Sequence, residues 1–257
     1  KIFGKDDLCE LALADVGEFP ALPEVREAAE FALPAPALAL MVNRTSFAAA
    51  RELGRFAMNG VRLEILKDRI RLVATDGRRL SLVEHPLEHD AKEAAPVTIP
   101  TKAVQQFCRV TEGAEGEVSV RVGQDRIEFR SERATVISRL LEGEFPRYQA
   151  VIPKEGRNRA ECDVKLLAQK LRLVAHLTAP EQPIVRLKFT GSSLTLSAAS
   201  PQKGEARAEM PVQFTGTQDQ ISFNPEFVLD GLKVAQRESI RLEFSDRSSP
   251  GKFLLNE

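Results

Sequence analysis

The stretch Val61-Arg62-Leu63-Glu64-Ile65 returns 124 residues later as Val185-Arg186-Leu187-Lys188-Phe189, with the same alternation of apolar and charged side chains. Val97-Thr98-Ile99-Pro100, which opens a helical stretch, is matched at the same offset by Ile221-Ser222-Phe223-Asn224, which opens another. After each helix comes an alternating strand, with Val118, Val120 and Val122 in the first copy and Ile240, Leu242 and Phe244 in the second. Solenoid units run to about 20–50 residues, so a repeat this long predicts domain-sized copies, each closing its own core. The 257 residues hold two such domains, and a hydrophobic content of 43% supplies apolar surface for both cores.

In the first copy the pattern predicts a helix over 36–51, strands at 54–66 and 69–74, and a tight hairpin turn at Asp76-Gly77. Strands at 78–84 and 96–99, a helix over 101–111, and strands at 117–123, 125–130 and 133–141 follow. The second copy repeats the order: a helix over 163–177, strands at 184–190, 193–199, 205–212 and 219–223, a helix over 225–236, and strands at 239–245 and 252–255. It is one strand shorter. The prolines of Phe19-Pro20 and Leu22-Pro23 mark 18–30 as a linker, and the polar, glycine-containing run 155–159 is expected to be the junction between copies. Ahead of the linker lies a strand-like stretch (Leu8, Cys9, Leu11, Leu13) with no domain of its own. Runs of strands broken by two helices, with antiparallel turn signals throughout, define an α+β class with helices packed on one sheet face.

Lysine and arginine total 36 against 37 acids, a net charge of −1, so any affinity for a polyanion must come from where the charges sit. Helix 101–111 has an apolar stripe of Ala103, Val104, Phe107 and Cys108, and its other face carries Lys102, Gln105, Gln106 and Arg109 with no acid. Helix 163–177 presents Lys165, Gln169, Arg172 and His176 at helical spacing, while its one acid, Asp163, stands where it can cap the N-terminus. In helix 225–236, Lys233 and nearby Arg237 are offset by Glu226 and Asp230, and the first helix offers Arg44. The acids gather at 84–93 and 112–117. Such faces suit a polyanion; the plainer reading is a set of ordinary solvated helices.

Little else points to chemistry. Cys9, Cys108 and Cys162 have neither zinc nor disulfide spacing and read as buried reduced thiols, consistent with the cytoplasm. No apolar run approaches 18 residues and no signal peptide is evident. His85 and His89 could meet a metal with Asp90, but Pro86 breaks the helix that would align them, so no metal is expected. There is no phosphate loop, nucleophile elbow or histidine-supported nucleophile, so neither a cofactor nor an enzyme activity is expected. Asp76 is read as a turn residue, because its short acceptor side chain bonds the following amides.

Two segments are too particular for ordinary loops: Val73-Ala74-Thr75-Asp76-Gly77-Arg78-Arg79-Leu80, and the run from Glu142-Gly143-Glu144-Phe145-Pro146-Arg147-Tyr148 to Pro153. With Met58-Asn59-Gly60-Val61 and Phe19-Pro20-Ala21-Leu22, their order and spacing resemble the bacterial β sliding clamp family, the processivity subunits of the replicative DNA polymerase III holoenzyme. The resemblance covers nearly the whole chain. Members have three similar domains, and two subunits close a ring around duplex DNA. The resemblance therefore implies tandem clamp-type domains, each with antiparallel sheets outside and two helices on the inner face. Residues 1–26 would be the tail of a first domain and its linker, 27–154 a second domain, and 155–257 a third, with most of the first domain and the last strand lacking.

The resemblance also implies a non-enzymatic role as a sliding tether for the polymerase III catalytic subunit, the clamp loader and other proteins bearing a clamp-binding motif. Its peptide-binding groove would be lined by Met58, Thr75, Gly77, Arg78, Arg79, Leu80, Pro146, Ala150, Val151, Asn224 and Phe227, with Ala150 standing where some members carry arginine. The DNA-facing cations would be Arg44, Lys102, Arg109, Lys165, Arg172 and Lys233. A head-to-tail homodimer contact would bring Leu173, His176 and Leu177 against Cys9 and Leu11 of the partner subunit. On their own, Met58, Leu80, Val151 and Phe227 read as core packing. The rival functions are a peptide-binding adaptor without a DNA-encircling role and an enzyme hidden in the domain junction.

Overall fold

The computed structural model describes the chain apart from Ala14, Phe19, Pro20, Glu27, Ala28, Leu53, Arg55, residues 88–93, Gln218, Asp219, Asn256 and Glu257. His89 and Asp90 of the considered metal trio, and Phe19-Pro20 of the linker, thus lie outside the described residues. A hairpin of β1 (Ile2–Phe3) and β2 (Leu8–Cys9), exposed on both strands, precedes the first repeat.

That repeat runs β3 (Ala29–Pro34), α1 (Ala35–Ser46), β4 (Gly60–Ile65), β5 (Arg69–Thr75), β6 (Leu80–Pro86), β7 (Val97–Pro100), α2 (Thr101–Val110), β8 (Glu117–Val122), β9 (Arg126–Arg130) and β10 (Thr135–Arg139). It forms two antiparallel four-stranded sheets, ordered β10-β9-β8-β3 and β6-β5-β4-β7. The second repeat runs β11 (Asn158–Asp163), α3 (Val164–Ala175), β12 (Val185–Thr190), β13 (Ser193–Ser200), β14 (Gly204–Pro211), β15 (Gln213–Thr215), β16 (Gln220–Phe223), α4 (Pro225–Val234), β17 (Ser239–Phe244) and β18 (Lys252–Leu254). Its sheets are ordered β15-β11-β17-β18 and β14-β13-β12-β16.

The repeat is conserved down to strand register. Val61 faces Ile99 and Leu63 faces Leu72; displaced by 124, Val185 faces Phe223 and Leu187 faces Leu196. The third matched element is shifted by 122 instead, because six residues separate α2 from β8 and four separate α4 from β17. Each repeat closes its own core. In the first, Leu38, Met41 and Val42 of α1 and Phe107 of α2 meet Phe31, Ile70, Val120 and Phe129; in the second, Leu167 and Leu171 of α3 meet Leu187, Phe189 and Phe244. Each such side chain, fully buried, contributes about 1.5–3 kcal/mol. Helix α1 packs on α2, α3 on α4, and α1 meets α4 across the boundary between repeats.

The structure differs from the pattern reading in several places, among them the strand expected over 54–66, which starts at Gly60. Helix α1 stops at Ser46 rather than 51: Ala48 and Ala49 turn into the core and Ala50 N–H bonds Met58 O, so packing overrides alanine's helix preference. Strand β3 begins inside the expected linker, with Ala29, Phe31 and Leu33 buried in alternation. Strand β11 occupies part of the expected junction. Its first residue, Asn158, is fully buried and bonds Phe244 O (3.0 Å), Ser245 O (2.9 Å) and Thr217 N–H (3.0 Å), so a polar side chain stands where the pattern sought an apolar one. Gly156 is likewise buried, and a Cβ there would come within 2.5 Å of Phe244 N. Finally β15 was not anticipated; it pairs with β11, and no described strand occupies the place of β10 beyond β18.

Candidate binding groove and basic helix faces

The turn between β5 and β6 is four residues long, closed by the Thr75–Leu80 pair rather than by a two-residue hairpin. Asp76 builds it. Oδ1 accepts the amides of Arg78 (2.9 Å) and Arg79 (3.0 Å), Oδ2 takes Arg79 Nε (3.1 Å), and Gly77 follows at φ +86°, a conformation glycine adopts without strain. Thr75, buried, donates its hydroxyl to Arg79 O (2.6 Å) and accepts Gly77 N–H. Gly77 and Arg78 are exposed at the tip, and Leu80 turns inward.

Leu80 and Leu82 pack on Val73, Phe145 and Tyr148, a small apolar cluster separate from the two main cores. Pro146 is half-buried beside it, while Ala150 and Val151 stand exposed, Val151 by 62%. Ala57 N–H bonds Glu144 O (3.1 Å), drawing the half-buried Met58 segment to the same wall. From the second repeat, Phe227 lies under the Arg79 guanidinium at 4.7 Å, and Asn224 caps α4 through Glu226 N–H (2.9 Å).

What holds the wall in place was missed in the sequence. Glu64, 6% exposed, accepts Tyr148 Oη (2.9 Å), Arg62 Nε (3.0 Å) and Arg71 Nη1 (3.1 Å). Burial works against charge on Arg71, but hydrogen bonds to Tyr148 and Glu84 outweigh it and raise its pKa. Burial also raises the pKa of Tyr148, with Arg71 lowering and Glu64 raising it in turn, so the phenol stays a donor. The signal was a charge ladder, since Glu64 faces Arg71 and Arg71 faces Glu84 on neighbouring strands, but it needs the register to be seen. Asp230 on α4 and Phe47 after α1, which hold Arg79, are brought to it only by the packing of helices and repeats. An open cleft of about 540 Å³ lies elsewhere, between Leu22, Pro23 and Val25 of the linker and Arg121, Glu128 and Ile137 of the adjoining sheet.

On the helices, Lys102, Gln105, Gln106 and Arg109 of α2, Lys165, Gln169 and Arg172 of α3, and Lys233 of α4 are all exposed. Among the described residues none of these five cations enters an ion pair. Arg44 differs. It is half-buried between α1 and α4, donates Nη2 to Ala235 O (2.9 Å), and its pKa is lowered by burial and then by Arg237. Asp163 caps α3 through Leu166 N–H (2.7 Å).

Leu173 is 57% exposed at the end of α3, with His176 exposed and Leu177 half-buried beside it; Leu11 is exposed after β2. Cys9 is exposed too, contrary to the expectation of a buried thiol, as are both strands of the β1–β2 hairpin that carries it. Cys108 is half-buried and Cys162 buried, and burial lifts their thiols to about 11 and about 12. Among the described residues no group of three potential metal ligands occurs, and no helix is long and apolar enough to cross a membrane.

Comparison with known proteins bears on both repeats. Residues 32–147 match the family model of the DNA polymerase III beta subunit central domain, and residues 149–257 that of its C-terminal domain. A beta sliding clamp of Chlamydia pneumoniae is 35% identical over 234 residues, 91% of this chain and 64% of that protein. One from Pseudomonas putida is 31% identical over 239 residues, 93% and 65% of the two lengths. The crystal structure of the DNA polymerase III subunit beta from Pseudomonas aeruginosa superposes with a TM-score of 0.88 at 29% identity, covering 94% of this chain and 67% of that one. A clamp of that organism bound to griselimycin gives the same score, with 94% and 65% covered. The chain thus spans a little under two thirds of the length of these curated relatives.

Proposed function

The chain belongs to the DNA polymerase III beta subunit family, the bacterial sliding clamps, and from that premise we propose that it forms the greater part of a DNA-encircling clamp subunit. The family is one of non-catalytic processivity factors. The observation that carries the reading is the set of exposed cations on α2, α3 and α4, unpaired among the described residues, on helices that follow one another in contact as α2, α1, α4 and α3 across two equivalent repeats. Such a surface meets phosphates without reading bases, so a ring lined by it holds duplex DNA while every register along the helix stays equivalent. Sliding then costs little, and escape requires opening.

The partners are duplex DNA in the cytoplasm and proteins that dock a short peptide. The groove between Met58, Leu80, Pro146, Val151 and Phe227 takes apolar anchors, with Thr75, Arg78 and Asn224 at its polar edges. The half-buried Arg44 is better suited to joining the repeats than to holding a phosphate. In a complete subunit, Leu173, His176 and Leu177 meet Cys9 and Leu11 of the partner subunit in a head-to-tail homodimer. A complete subunit bearing this sequence is expected to stay on circular duplex and to be lost once the circle is cut. Equal retention on linear and circular DNA would favour the second reading, a peptide-binding adaptor whose basic faces are incidental.

A further inference from the structure

We propose that Arg79 is a lock between the two repeats that sets the opening of the groove, so that its loss acts on a bound peptide through domain geometry. The inference rests on the groove reading. Every nitrogen of this guanidinium already has an acceptor: Nε meets Asp76 Oδ2 (3.1 Å), Nη1 meets Asp230 Oδ2 (2.6 Å), and Nη2 meets Phe47 O (2.9 Å). Its Cζ lies 4.7 Å from the Phe227 ring centroid and 5.5 Å from that of Phe47. The side chain is only 14% exposed. A residue held this way is fixed in place from both repeats.

What it joins is informative. Asp76 and Arg79 belong to the β5–β6 turn, Phe47 follows α1, and Phe227 and Asp230 stand three residues apart on one face of α4. One side chain therefore ties two elements of the first repeat to a helix of the second. Domains within a chain move against one another unless something fixes their angle, and a planar cation that binds several acceptors fixes it by direction as well as by charge. The bond from Arg44 to Ala235 O is a second tie, at the far end of α4. Since Leu80 follows Arg79 in sequence and Phe227 lies beneath it, any tilt of α4 changes the distance between the two apolar walls of the groove.

The test pairs a distance measurement with a peptide titration. Spin labels at Glu132→Cys and Glu205→Cys, exposed and one in each repeat, in a Cys9→Ser, Cys108→Ser background, report the inter-repeat distance by pulsed electron resonance. The parent should give one narrow distribution, and Arg79→Ala and Asp230→Ala should broaden it alike, with Asp230→Asn as a shape-preserving check and circular dichroism confirming the fold. A fluorescein-labelled, Gln-Leu-rich peptide should bind each variant about tenfold more weakly, and the double variant no more weakly than Arg79→Ala alone. An unchanged distance distribution in the folded Asp230 variants would overturn the lock. So would losses that multiply in the double variant, which would mean that Arg79 and Asp230 act independently, or a broadened distribution with unchanged peptide affinity. If the parent protein binds no peptide, the groove reading fails on its own, and the distances still decide whether Arg79 joins the repeats.

Discussion

Tyr148 donates its hydroxyl to Glu64 across 2.9 Å, and both side chains are almost fully buried. The contact joins the segment after the last strand of the first repeat to the end of β4, and so seats the ring that forms one wall of the groove. Tyr148→Phe should cost about 1–3 kcal/mol, because it leaves a buried carboxylate short of a donor. Glu64→Ala should cost about 3 kcal/mol by leaving Arg62 without its anion and Arg71 with Glu84 alone. Urea denaturation measures both, and peptide affinity should fall alongside stability.

Groove binding predicts micromolar affinity for a short Gln-Leu-rich peptide, on the order of −8 kcal/mol. Leu80→Asp places a charge in the apolar cluster of Val73, Leu82, Phe145 and Tyr148, and Phe227→Asp removes the ring beneath Arg79. Either should abolish binding. Calorimetric titration of the two folded variants checks this, and unchanged affinity in both would show that the pocket is elsewhere.

Charge reversal at Lys102, Arg109, Lys165 and Arg172 should weaken DNA binding without changing sequence preference, since these exposed cations face phosphates in the proposed ring. Each lost phosphate contact should shallow the log–log dependence of affinity on salt by about 0.9 for duplex DNA. The chain by itself should bind linear duplex weakly and without base preference. Tight, base-specific binding in a filter or anisotropy assay would be incompatible with a clamp.

The three thiols should separate by reactivity. At pH 8, exposed Cys9 should react with a disulfide reagent in the native state, while Cys108 and Cys162, lifted by burial to about 11 and about 12, should react only on opening. A thiol whose pKa is raised on folding favours the folded state fully below its unfolded value near 9.0, and that contribution is lost as pH climbs toward the folded value. Stability should accordingly fall between about pH 9 and 12. Cys162→Ala should remove part of that slope, as followed by denaturation at stepped pH.

The sequence by itself determined the duplication, the α+β class, the order of most elements and the acid-free helix faces. Each of these is written in local periodicity or in a repeat, and both are visible without knowing which residues meet. Its motifs also led to the family to which the comparisons assign both repeats. Only the tertiary structure decided where α1 stops, that Asn158 opens a core strand, and that Cys9 is exposed. Those outcomes depend on what packs against each residue. The same holds for the site. Thr75, Leu80 and Phe227 could be named from motifs, but the roles of Glu64 and Asp230 could not, because each is set by an arginine or tyrosine far away in sequence. A charge pattern says which residues want partners; only strand register and domain docking choose them.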